Sequence, residues 1–98
     1  MTLPVAYLPE ARDDIDDAYV VYEARLAGLG ERFLMSLRRC VERVAQSPHL
    51  YAVVEADVRA APIKRFPHLV FYRIEGERIL VVAVQHGRRS WQAWRERT

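Results

Sequence analysis

The sequence has a single cysteine and no long apolar run among its 98 residues. Cys40 has no second cysteine with which to form an internal disulfide, and its apolar neighbours at helical spacing predict a packing role. No apolar run approaches the roughly 18 residues that a membrane span requires; the longest, residues 79–84, predicts a buried strand. The chain does not open on a basic region followed by an apolar stretch, so we expect a cytoplasmic protein with no secretion signal and no membrane partner.

Several chemical motifs are missing as well. There is no glycine-rich phosphate loop, no Cys/His pattern at metal-ligand spacing and no serine in a strand–turn–helix elbow. We therefore expect no cofactor and no metal. Four aspartates within residues 13–17 surround the polar face of a predicted helix, where a solvated surface is a better account than a metal site, because ligands must converge. The length predicts one domain, residues 1–98, with a modest core.

The charge is unevenly distributed along the chain. Residues 1–58 carry 6 arginines and 10 Asp+Glu, a balance of −4, whereas residues 59–98 carry 9 Arg+Lys and 3 Glu, a balance of +6, which together give +2. A polarised surface points to an acidic protein, a nucleoprotein machine or nucleic acid as the partner. The simpler alternative is that acids solvate the helices and arginines solvate the strand ends.

Hydrophobic periodicity predicts an α+β fold in the order β-α-α-β-β-β. Apolar residues three and four apart predict two helices, which begin near Pro9 and Glu31 and are separated by a glycine turn. Residues 48–57 are predicted to be a loop. The strands are predicted at residues 2–8, 58–66, 68–75 and 78–86, with Gly76-Glu77 as a tight hairpin turn. A helical hairpin would then pack on one face of a small, mainly antiparallel sheet and leave the other face less covered.

The candidate functional residues are basic side chains of the strands and strand ends. Arg59, Lys64 and Arg65 fall on the second predicted strand and Arg73 on the third. His86, Arg88 and Arg89 follow the fourth. Arginine binds phosphate through its planar fork, and a histidine beside arginines is suited to acid–base work on a phosphodiester. The structural alternatives are that Arg73 pairs with Glu75 or Glu77 and that His86 makes only a structural hydrogen bond.

Two tryptophans, Trp91 and Trp94, lie three residues apart in the basic C-terminal segment. Tryptophan rings can stack on nucleic-acid bases. They are found more often in a core or at a protein interface. The sequence favours core or partner contact over base stacking.

Three stretches carry a family resemblance: the opening YLPEARDDIDDAYVVYE, GLGERFLMSL leading to SPHLY, and the closing VRAAPIKRFPHLVFYRIEGERILVVAVQHGRR. In this order they resemble the RelE/ParE superfamily of toxins from type II toxin–antitoxin modules. It implies a helical hairpin on a twisted antiparallel sheet. It also implies a cognate antitoxin that wraps and neutralises the toxin in a hetero-oligomer, with Arg59, Lys64, Arg65, Arg88, Trp91 and Trp94 as candidate contacts to antitoxin or target.

The superfamily divides by target. RelE-like members are ribosome-dependent mRNA endonucleases, and their resemblance to this chain would make Arg73, His86 and Arg89 the catalytic candidates. An arginine that those nucleases typically place three residues before the strand tyrosine is absent, since Leu69 precedes Tyr72 at that spacing. The ending FYRIEG…VVAVQHGRR is more similar to the ParE side, which arrests growth through DNA gyrase. A non-toxic member that only binds an antitoxin is the third reading.

Overall fold

The computed structural model describes residues 2–87 and 95–97, which hold two helices and five strands. In chain order the elements are β1 Val5–Tyr7, α1 Pro9–Arg25, α2 Leu29–Gln46, β2 Val53–Glu55, β3 Val58–Pro62, β4 His68–Glu75 and β5 Arg78–His86. The sheet order is β1-β5-β4-β3-β2, and only the β1–β5 pair is parallel. The predicted α+β class is confirmed. The strand β2 is an addition, because three residues are too few to show a periodicity inside the predicted loop.

Strand β3 is shorter than the predicted strand at residues 58–66, so two of the candidate residues lie outside it. β3 ends at Pro62, and the Ile63 amide donates to the His68 carbonyl as the chain turns. Arg65 adopts a left-handed conformation with φ of 70°. The prediction that Lys64 and Arg65 lie on a strand is therefore wrong; both are exposed in the turn between β3 and β4.

The two helices form the predicted antiparallel hairpin. The predicted apolar stripe of α2 is confirmed, since Phe33, Leu37, Cys40 and Val44 are all buried. The helix begins at Leu29, earlier than predicted, after Gly28 with φ of 89°. The Glu23 carboxylate accepts hydrogen bonds from the amides of Gly28 and Gly30, which would otherwise lack partners at the start of the helix. Neither helix combines the length and the apolarity needed to cross a membrane.

Both faces of the sheet carry buried apolar residues. The main core lies between the sheet and the helices and includes Phe33, Tyr72 and Val81. A second cluster occupies the opposite face, where Phe71 and Leu80 are 4% and 6% exposed. We expected the second face of the sheet to be less covered. Its centre is instead buried, because β4 and β5 carry apolar residues on both faces.

Asp14 of α1 contacts the sheet beside a β-bulge in β5. Phe71 is aligned with Ala83 but Tyr72 with Val81, so Val82 is the extra residue. The Asp14 carboxylate accepts from the Val84 amide at 3.0 Å and from both Nη atoms of Arg97 at 2.7 and 3.1 Å. Arg97 Nη1 also donates to the Val82 carbonyl. Asp14 is therefore not part of a solvated aspartate face as predicted; it accepts from the Val84 amide and holds Arg97, which in turn donates to the Val82 carbonyl.

Candidate functional site

Arg73 lies on the sheet face that carries the second apolar cluster. It is aligned with Leu80 of β5, and its guanidinium donates to Glu75 Oε2 at 2.9 and 2.6 Å. Arg78 donates to the other oxygen of the same carboxylate at 3.2 and 2.7 Å. Hydrogen bonds from Arg78 and Arg73 lower the pKa of Glu75. The sequence alternative in which Arg73 pairs with Glu75 is the arrangement found, and Glu75 partly neutralises both arginines.

His86 lies on the opposite face, toward the helices. It is aligned with His68 of β4, and the two ring centroids are 5.9 Å apart. The His68 ring in turn contacts Phe33 and Tyr22, with centroid distances of 5.2 and 5.7 Å. His86 therefore adjoins the helix-side aromatic cluster.

The structure does not bring Arg73 and His86 together. The residue opposite Arg73 on β5 is Leu80, so the two side chains are separated by roughly 16–20 Å along the strand at about 3.3 Å per residue. They also project from opposite faces of the sheet. Arg89, the third member of the candidate nuclease set, lies outside the described residues.

The remaining candidates have separate positions. Arg59 Nη1 donates to the Tyr51 carbonyl at 2.6 Å and so ties the loop after α2 to β3. Lys64 and Arg65 are exposed in the β3–β4 turn. The other candidate contacts to antitoxin or target, namely Arg88, Trp91 and Trp94, lie outside the described residues. Their roles stay predictions.

Tyr72 and Cys40 are held in their neutral forms in the core. The Tyr72 hydroxyl donates to the Pro48 carbonyl at 2.7 Å, and burial raises the pKa of Tyr72 to about 12. Burial likewise raises the pKa of Cys40 to about 11. A phenol and a thiol that stay protonated at neutral pH, behind a packed core, are not suited to act as base or nucleophile.

We expect stability to fall as the pH rises from about 9 to about 12. Both groups have a folded-state pKa above the ordinary values of 9.0 and 10.0. The contribution of the two neutral groups to the free energy of unfolding is therefore complete below pH 9. It is lost as the pH rises through their folded-state pKa values. Urea titrations at a series of pH values measure this free energy of unfolding. Tyr72→Phe should flatten the loss of stability above pH 10 relative to the parent chain. If Tyr72→Phe lost as much stability as the parent chain over this pH range, the Tyr72 hydroxyl would not be the group responsible.

A groove between α1, α2 and β1 is the feature that the sequence reasoning missed. Its volume is about 520 Å³, and apolar residues that include Leu3, Val5 and Leu34 line it. Arg12, Arg38 and Glu42 also line the groove, and the Arg12 guanidinium lies 4.9 Å from the centre of the Tyr7 ring. The sequence signal was weak, because the basic residues of the N-terminal half were outnumbered by acids. Only the fold places two arginines beside an apolar groove.

The family assignment follows from a comparison with known proteins. The model of the family described as the ParE toxin of type II toxin–antitoxin system, parDE, matches residues 5–91. This chain belongs to the ParE toxin family. A solved structure, the chromosomal ParDE TA system from P. aeruginosa, is similar to this chain, with a TM-score of 0.77 and 17% sequence identity. The alignment covers 87% of this chain and 96% of the chain in that structure. At that identity it shows the fold alone. Curated protein sequences gave no significant match.

The predicted superfamily and fold are thus confirmed for this ParE-family chain. Two separate surfaces of the described residues are candidates for binding. One is the apolar groove with Arg12 and Arg38, and the other is the histidine pair at the ends of β4 and β5.

Proposed function

We propose that this ParE-family toxin arrests growth by binding DNA gyrase and not by cutting mRNA. The observation that carries the proposal is the placement of Arg73 and His86 on opposite faces of the sheet. A phosphodiester-cleaving site requires its acid–base and charge-stabilising groups within hydrogen-bond reach of one reacting phosphate. The described members of the candidate set do not meet that requirement, and the Glu75 carboxylate holds Arg73. Binding to a target protein does not require these groups to lie close together.

The test is induced expression in a host that lacks the antitoxin. We expect growth to stop with mRNA 5′ ends unchanged, and we expect the purified chain to inhibit supercoiling by gyrase. His86→Ala and Arg73→Ala should both retain growth arrest, as should the control His49→Ala in an exposed turn. New mRNA ends at ribosome-occupied codons, abolished by either substitution, would show a RelE-like endonuclease. Growth without arrest would indicate a member that only binds an antitoxin.

The second part of the proposal is neutralisation by an antitoxin that occupies the α1–α2–β1 groove. The lining of the groove combines apolar residues with Arg12, Arg38 and Glu42, so that the positive charges outnumber the negative one. This pattern is complementary to an amphipathic segment with acidic side chains, which is the type of chain that folds on binding. The apolar contacts would supply affinity, and the arginines would steer association and orientation.

Charge reversal tests the groove directly. The partner for this test is the product of a small reading frame adjoining the toxin gene, if one is present; it should restore growth on co-expression and bind the purified chain. The double substitution Arg12→Glu and Arg38→Glu should weaken that binding at least about tenfold, since each arginine faces the acidic segment. Arg39→Glu, an exposed neighbour that does not line the groove, is the matched control. Equal binding by the double variant and the control would place the antitoxin elsewhere.

A further inference from the structure

Two histidines face each other at the open end of the β4–β5 hairpin. His68 and His86 are directly aligned across the two antiparallel strands, a position in which side chains of neighbouring strands come within reach of each other. Their ring centroids are 5.9 Å apart and their planes are inclined by 59°. A third histidine, His49, lies in the exposed segment that follows α2. The fold therefore pairs two of the three histidines of the chain.

The spacing of the pair suits a shared metal ion. Imidazole nitrogens bind Zn²⁺ at roughly 2.0–2.1 Å, so two rings on one ion have centroids about 5–6 Å apart. The observed 5.9 Å lies within that range. At this centroid spacing, one nitrogen of each ring can reach a common ion. Both histidines also have other contacts, and the ion would replace one of them on each ring.

The orientation of His68 is fixed before any ion binds. Its ring lies beside Phe33 and Tyr22, with centroid distances of 5.2 and 5.7 Å. Its Nδ1 is 3.3 Å from the Tyr22 hydroxyl oxygen. When Nδ1–H donates to that oxygen, Nε2 carries the lone pair, and such an outer partner is the usual means of fixing a metal-binding imidazole. Tyr22 is thus a positioning residue for the pair.

The surroundings leave room for ligands other than protein side chains. A cavity of about 530 Å³ lies beside the pair and is lined by Asp17, Tyr22 and Arg25 from α1 and by both histidines. Within residues 2–87 and 95–97, no group of three or more His, Cys, Asp or Glu side chains is arranged to hold a metal. Two imidazoles would then supply half of a tetrahedral shell and solvent the other half, one protein ligand fewer than in the usual open zinc site.

We propose that His68 and His86 form a two-histidine binding site for a borderline divalent metal ion such as Zn²⁺. Imidazole suits zinc, copper and nickel, whereas magnesium prefers oxygen ligands. A bound ion would connect the last residue of β5 to the first residue of β4 and so stabilise the hairpin end from which the chain continues to Arg88 and Arg89. The proposal does not depend on whether gyrase is the target.

The experiment uses the full, tag-free chain with zinc chloride and, separately, magnesium chloride. At free zinc of about five times the dissociation constant, the unfolding midpoint should rise by about 4–8 °C, because a ligand that binds only the folded state stabilises it. Magnesium should produce no such rise. Titration calorimetry gives the dissociation constant for each variant.

The variants separate this site from adventitious binding. His86→Ala and His68→Gln should each remove the zinc-dependent rise, and Tyr22→Phe should weaken zinc affinity about 10–100-fold. His49→Ala should bind zinc as the parent does. His68 adjoins the core, so its variant could fail to fold. The conclusion therefore rests on the variant of His86, which is partly exposed. An equal rise in His86→Ala, a loss in His49→Ala, or no rise in the parent beyond that with magnesium would overturn the proposal.

Discussion

Phe33→Ala should destabilise the chain by about 3–5 kcal/mol, the largest loss that we expect from one substitution. Phe33 is fully buried and contacts three aromatic rings, Tyr22, Phe66 and His68, at centroid distances of 5.2–5.3 Å. Removing the ring leaves a cavity beside Tyr22 of α1 and His68 of β4, whose backbones are held in regular elements. Aromatic contacts add to the loss beyond the buried area.

Thermal and urea unfolding measure this loss. For a domain of this size, 3 kcal/mol corresponds to a decrease of at least about 12 °C in the unfolding midpoint. Met35→Ala is the matched control, because Met35 is two residues away on the same helix and 51% exposed; we expect it to change stability by roughly 0.5 kcal/mol or less. A Phe33→Ala loss no larger than that of the control would show that the aromatic cluster is not the centre of the core.

Asp14→Ala should cost about 2–4 kcal/mol. The side chains of Asp14 and Arg97 are 12% and 16% exposed, and removing one member of a largely buried pair leaves the other charge without its partner. The same substitution removes the acceptor for the Val84 amide at the bulge. We place the loss below that for a fully buried pair, because both groups retain some solvent contact.

A double-mutant cycle isolates the ion pair. Asp14→Asn and Arg97→Gln should each destabilise the chain, and the double variant should lose less than the sum, with a coupling of about 1–3 kcal/mol. Asp13→Ala is the control, because Asp13 is the exposed neighbour of Asp14 on the same helix. Additive losses in the double variant would mean that the two residues stabilise the fold independently.

The two long strands and the α2 stripe could be predicted because their signals are local. Residues 68–75 and 78–86 were predicted as strands, and β4 and β5 occupy the same residues. Gly76 supplies the positive φ, 58°, that the hairpin turn requires. The family resemblance rested on these segments and also on the opening YLPEARDDIDDAYVVYE, most of which lies in α1. β2 and the end of β3 were missed because short strands are defined by their partners and not by their own periodicity.

The candidate site could be predicted only as a set of residue types. The sequence placed Arg73 and His86 on neighbouring strands, but their faces depend on the register and on the bulge at Val82, which shifts the alternation of β5. The pairing of His68 with His86 depends on the same register. His68 was given no role from the sequence, because it follows Pro67 and no local pattern links it to His86, 18 positions further along the chain.

The sequence by itself determined the class of fold, the family and the polarised charge, since hydrophobic period, turn glycines and residue order are properties of neighbouring residues along the chain. The tertiary structure decided which charges are neutralised, which arginines border an apolar groove and which histidines meet. Those outcomes depend on strand register and helix packing, through which residues such as Asp14 and Arg97 come within 2.7 Å of each other. Contacts of that kind are set by the geometry of the whole chain and not by any local pattern.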